Sequence, residues 1–182
     1  MAYCKDVAYA GLFSVASIYM PVVTWCQWLE NASWSTAIRQ SDLLFPLIEG
    51  SHILALSLSV GLIMVLDLRF LGIVFPNEPV SKVMKQIMPW SLLGFLVMFG
   101  TGALLFMAQA QKAYGNTFFR IKFLLLLLAG VNALYYQFRF YPKMREWDSA
   151  ARSPAGVRIC AVLSLIFWFG VIACGRTMAY EI

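Results

Sequence analysis

The chain carries too little charge to hold itself in water. Asp, Glu, Lys and Arg make up 13% of its 182 residues, against roughly 25% in soluble domains. A water-facing surface cannot be covered with that supply. Histidine occurs once, at His52, so no bis-histidine metal or haem site can form within the chain. The four cysteines, Cys4, Cys26, Cys160 and Cys174, show neither CxxC nor Cys/His metal spacing. Three of them lie in or beside apolar runs, where a free Cys acts as a small hydrophobe, which argues against structural disulfides. No Ser/His/Asp or Cys/His nucleophile arrangement, phosphate-cradling glycine loop or pair of catalytic carboxylates is present. The chain therefore reads as a non-enzyme. Its net charge of +5 comes from basic residues at the ends of apolar runs. No basic patch is long enough to neutralise many phosphates, which argues against nucleic acid as a partner.

What the chain does have is apolar length: 61% of it is hydrophobic, with a mean hydropathy of +0.73. The stretch Pro46 to Arg69 organises the rest. Its opening Pro suits a helix's first turn, and about 21 residues follow before Asp67 and Arg69 close it. That length crosses a bilayer core at about 1.5 Å per residue. Four more runs have similar character. Val7 to Leu29 is a retained first span with Pro21 as its bend, too long for a signal peptide. Glu30 to Leu44 reads as a short interfacial helix. A proline-punctuated basic loop holding Pro76, Pro79, Lys82 and Lys85 leads to a third span, Ile87 to Ala108, whose Gly94, Gly100, Thr101 and Gly102 allow close helix approach. Gly115-Asn116 is a turn signal before the fourth span, Phe118 to Gln137. A charged loop from Arg139 to Arg158 precedes the fifth, Val157 to Ala179.

The expected fold is all-α, a polytopic transmembrane helix bundle of five spans. Residues 1–29 form an N-terminal transmembrane helix, and residues 30–182 form a four-helix core that begins with the interfacial helix. Lys5, Arg69, Lys82, Lys85, Arg139, Lys143, Arg145, Arg152 and Arg158 fall on one side, and Arg39, Lys112, Arg120, Lys122 and Arg176 on the other. Nine against five predicts a cytoplasmic N-terminus and a periplasmic C-terminus.

With that topology Glu49, His52 and Arg176 share one half of the bundle, with Lys122, Thr101, Met107, Cys174 and Met178 at similar depth. Glu49 precedes His52 by three residues and shares its face. The plainest reading is a polar clasp, with Glu49 accepting from Arg176 and His52 bridging, because intramembrane charges must pair. A second makes His52 an axial ligand of haem b, with Arg176 or Lys122 meeting the propionates and Glu49 nearby. A third is a Cu(I) site of His52, Met107, Cys174 and Met178, since thioether and thiolate ligands suit that ion. A fourth is a proton relay through Glu49 and His52. Asp67 and Arg69 read as interface residues that end their span.

The segments Trp28-Leu-Glu, Phe45-Pro-Leu-Ile-Glu-Gly-Ser-His52, Val65-Leu-Asp-Leu-Arg-Phe-Leu-Gly72, Tyr114-Gly-Asn, Arg120-Ile-Lys122, Gly130-Val-Asn132 and Gly175-Arg176 together resemble a bacterial inner-membrane family. That family is a domain of unknown function, loosely similar to copper-resistance-D-type and small cytochrome-b-like helical bundles. The resemblance runs from about Trp25 to Tyr180 and implies a four-helix core in a bacterial inner membrane. Members often carry a second His near the end of the fourth span, where this chain has Gln137. The expected role is a non-enzymatic accessory subunit of a larger membrane complex, surrounded by lipid and other membrane subunits. Haem-b electron transfer and copper handling are the alternatives.

Overall fold

A computed structural model describes residues 22–181. Most of the expected first span, with Cys4, Lys5 and Pro21, lies outside the described residues. A helical stretch at 22–31 leads into α1 (Ser33–Gln40), the short helix expected there. It is followed by α2 (Leu44–Phe70), α3 (Val80–Ala108), α4 (Ala110–Gly115), α5 (Thr117–Arg139), a 3₁₀ turn (Tyr141–Glu146) and α6 (Ala155–Glu181). No strand occurs among the described residues.

Among these residues α2, α3, α5 and α6 are long and apolar enough to cross a membrane. The shortest, α5, has 23 residues and rises about 34 Å, against a hydrocarbon core of about 30 Å. The fold is thus an all-helical bundle with four candidate spans.

The third span starts seven residues earlier than its sequence suggests, at Val80 rather than Ile87. Lys82 and Lys85 therefore stand on the first turns of a helix, not in a loop. Two causes are visible. Val80, Val83, Met84 and Ile87 repeat at helical spacing and are buried together with Leu66 and Phe70 of α2. The helix start is also capped from afar: Asp148 accepts from Ser81 N and Ser81 Oγ, both at 2.7 Å, and its carboxylate faces the positive end of the helix. At α5 the cap is local, as the turn signal predicts, with Asn116 Oδ1 accepting from Phe118 N at 2.8 Å.

Packing joins two helical hairpins. α2 lies along α3, α5 lies along α6, and α2 meets α6 to connect the pairs. The α2–α3 seam is made of small residues. Ser59 Oγ donates to Ala55 O at 2.6 Å, and Ser91 Oγ donates to Ser59 O at 3.2 Å. A Cβ on Gly94 would sit 3.0 Å from Ser59 Cβ and 3.3 Å from Ala55 O, so the two backbones are nearly in contact there. On the α5–α6 seam, Asn132 Nδ2 donates to Cys160 O at 2.9 Å. Gly170 makes room for Leu125. At the His52 end of the bundle, Ser35 of α1 is fully buried and donates to Met107 O at 2.7 Å. Glu30 pairs with Arg39 at 2.8 Å and accepts from Gln111 N at 3.0 Å, tying the entry segment to α4.

The seam gives a direct test. Gly94→Val should lower the stability of the detergent-solubilised protein by about 1–3 kcal/mol through overpacking. Gly100→Ala, which meets nothing within 4 Å, should be neutral or stabilising by up to about 1 kcal/mol. Thermal unfolding of both variants checks the contrast.

Candidate functional site

His52 sits in the first half of α2 and is turned onto α3. Its Nδ1 lies 2.9 Å from Met98 O and 3.1 Å from Thr101 Oγ1. A carbonyl can only accept, so Nδ1 carries the hydrogen. Thr101 spends its own proton on Val97 O at 2.7 Å and is free to accept as well. In the neutral imidazole this leaves Nε2 as the atom with the lone pair. The ring fits because Gly102 lacks a side chain: a Cβ there would be 3.0 Å from His52 Cε1. A local glycine and a backbone carbonyl thus hold the imidazole in one place and one tautomer.

Two of the expected neighbours join it. Lys122 of α5 lies within electrostatic range of His52. Its Nζ would be 3.5 Å from a Cβ on Gly175 of α6, and Cys174 is its electrostatic neighbour. Lys122 is half-buried and makes no hydrogen bond or ion pair among the described residues. α2, α3, α5 and α6 therefore each contribute to one polar site. Above it, Phe106 of α3 stacks on Phe119 of α5 with ring centroids 5.4 Å apart; below it, Phe95 of α3 meets Trp168 of α6 at 5.4 Å.

The other expected partners do not close the clasp. Glu49 is exposed, close enough to influence His52 electrostatically but without an ion pair among the described residues. Arg176 is also exposed, its guanidinium 5.2 Å over the Tyr180 ring. The reason is angular. Gly175 faces Lys122, and the next residue along a helix is turned by about 100°. Of the soft donors, Met107, Cys174 and Met178 are each half-buried, and the Met107 carbonyl is engaged by Ser35. No three His, Cys, Asp or Glu side chains gather as a metal site among the described residues.

At the opposite, basic end the motif Asp67-Leu-Arg-Phe-Leu-Gly72 is not the simple span terminus expected. Arg69 is fully buried. Its Nε and Nη2 donate to Glu78 O at 2.9 and 2.6 Å, and Nη2 donates to Ala150 O at 3.1 Å. One guanidinium therefore gathers the carbonyls of both loops at this end. Gly72, at φ +76°, lets the chain turn back: a Cβ there would be 2.7 Å from Ala151 O. Asp67 is 5% exposed and faces α5 and α6 instead. The Ser164 hydroxyl is within reach of its carboxyl, and Tyr136 is within its electrostatic range. Sequence spacing marks Asp67 as polar at a span end, but nothing in the sequence signals that Tyr136 and Ser164 meet it.

These features define a multi-pass helical membrane protein with polar sites at both ends of its bundle. The chain belongs to the family of unknown function DUF6644, whose model matches residues 43–181. The match begins at the start of α2 and takes in all four candidate spans. No curated protein and no solved structure gives a significant match.

Arg69→Lys should cost about 2–4 kcal/mol of stability, since an ammonium cannot fork between carbonyls of two loops and leaves some of them buried and unpaired. Thermal unfolding checks this. Arg176→Lys, at an exposed site, should change stability by less than about 0.5 kcal/mol.

Proposed function

We propose that this membrane protein is an electron-transfer subunit that carries haem b on His52. The supporting observation is the hydrogen bond from Nδ1 to Met98 O at 2.9 Å, which leaves Nε2 as the coordinating atom. Oriented imidazoles of this kind are what axial ligation requires. Lys122 supplies an ammonium with no partner among the described residues, suited to a propionate. Glu49 and Arg176, both exposed, contribute less. Bound haem would supply one-electron chemistry, while the chain supplies the ligand, the counter-charge and the exclusion of water. With one histidine in the chain, any further ligand to the iron would come from another residue type or from a neighbouring subunit. Copper handling by His52, Met107, Cys174 and Met178 has weaker support, because the Lys122 ammonium beside Cys174 opposes a second cation there.

A second observation favours the broader role of accessory subunit in a larger membrane complex. Away from α6, α5 exposes Phe123, Leu124, Leu127, Val131, Leu134 and Phe138, an apolar side open to lipid or to a neighbouring protein. The two readings are compatible. The excess of basic residues at the Arg69 end supports that end as the cytoplasmic face of a bacterial inner membrane.

A dithionite-reduced minus oxidised spectrum of the purified protein should show a haem α-band. His52→Ala should abolish it, and Lys122→Met should keep the band while weakening haem retention. No α-band in the wild type ends the haem reading. Blue-native electrophoresis after mild extraction should give a species well above the 20.5 kDa monomer. Migration as the free monomer alone would exclude the accessory role.

A further inference from the structure

The basic end of the bundle holds a carboxyl group that nothing described so far employs. Asp67 stands one helical turn before the end of α2, and its Oδ2 is buried without a hydrogen-bond partner. The hydroxyl of Tyr136 on α5 is buried and unpartnered too. The Tyr136 ring packs on Phe70, three residues after Asp67, with centroids 5.1 Å apart, so the phenol and the carboxyl lie on one face of α2. Ser164 of α6 brings a third oxygen within reach of the carboxyl. The bond from Asn132 to Cys160 O, one turn away on each helix, holds α5 and α6 in that register.

Among the described residues no cation serves this carboxyl. Arg69 is committed to the carbonyls of Glu78 and Ala150. Lys82 pairs with Glu78 at 2.8 Å. Arg158, on α6, has a buried Nε with no partner and forms no ion pair with Asp67. α3 presents apolar Val80, Val83 and Met84 to this end, and the connecting loop presents Trp147. The carboxylate of Asp148 is held by Ser81. Tyr136 and Cys160 are the other titratable groups in electrostatic range of Asp67. An ionised carboxylate buried in this way, with no counter-charge among the described residues, is strongly unfavourable and calls for a bound positive charge.

We propose that Asp67, Tyr136 and Ser164 form a binding site for one monovalent cation, a proton or a sodium ion. A proton would sit on the Asp67 carboxyl and neutralise it between the Tyr136 and Ser164 hydroxyls. A sodium ion would be held between the carboxylate and the two hydroxyls. Three groups with four oxygens between them are few for a metal cation, which favours the proton as occupant.

Infrared difference spectroscopy of the full chain with isotope-labelled aspartate separates the sources. In sodium-free buffer at neutral pH the proton site should give a protonated-carboxyl band that Asp67→Asn removes completely and that sodium leaves unchanged. Tyr136→Phe should shift that band, an assignment that stands even where the Asp67 variant does not fold. A carboxylate signal that moves when sodium replaces choline, and that Tyr136→Phe or Asp67→Asn abolishes, would identify the sodium form. An aspartate spectrum indifferent to sodium, with no protonated band that either variant alters, would overturn the site. None of these signals depends on haem, so the outcome is independent of the His52 reading.

Discussion

Lipid offers no hydrogen bonds, and this constraint decides how α2 is used. The helix carries an imidazole, one buried hydroxyl, a carboxylate and a guanidinium between His52 and Arg69. Each of these has to be met by protein or by something the protein binds. α3 meets His52 through Met98 O and Ser59 through the Ser91 hydroxyl, along one seam. α5 and α6 meet Asp67 on the other side, and the loop carbonyls meet Arg69. α2 is consequently the helix around which the others are placed. Its contacts with both hairpins hold the bundle together.

That arrangement separates two kinds of polar group. Arg69 and Asp148 are satisfied, the first by four donor contacts to loop carbonyls and the second by a helix start. They fix backbone and leave no free valence for chemistry. The His52–Lys122 and Asp67–Tyr136 groups are different, because each retains an atom with nothing assigned to it. The two groups are 15 residues apart on α2, about 22 Å along its axis. Between them the seam is built from Ala55, Ser59 and Gly94 with backbones almost touching. Tight packing there leaves no continuous polar path, which argues for two separate sites over a single channel.

Much of this was legible in the sequence, and the failures have a common cause. Run length predicts five spans, and four helices long and apolar enough to cross lipid stand among the described residues, because crossing lipid is a requirement on consecutive residues. The turn at Gly115-Asn116 is also readable, since it depends on near neighbours, and an inward His52 follows from the cost of an imidazole in lipid. What escaped were properties set by residues distant in the chain. The start of α3 depends on Asp148, the burial of Arg69 on Ala150, and the setting of Asp67 on Tyr136 and Ser164. The Val80, Val83, Met84, Ile87 spacing did carry a helical signal, but prolines and lysines beside it masked it. Arg176 escaped for a subtler reason: the residue after Gly175 turns away from Lys122 and lies exposed over the Tyr180 ring, and facing direction is not set by position along a run.

Facing direction is what ranks the candidate residues. Glu49, His52, Lys122, Cys174 and Arg176 are expected at one depth, yet Glu49 and Arg176 are exposed while His52, Lys122 and Cys174 are half-buried. A Gly at 102 and a Gly at 175 mark where neighbouring helices come close enough for His52 and Lys122 to reach across. Small residues opposite a large polar one therefore carry more information about a membrane site than the polar residue's own position. The same logic applies at the other end, where Gly72 lets the loop fold over Arg69 and leaves Asp67 to face α5 and α6. In this bundle the glycines decide which charges are enclosed, and the enclosed, unmatched ones are where binding has to occur.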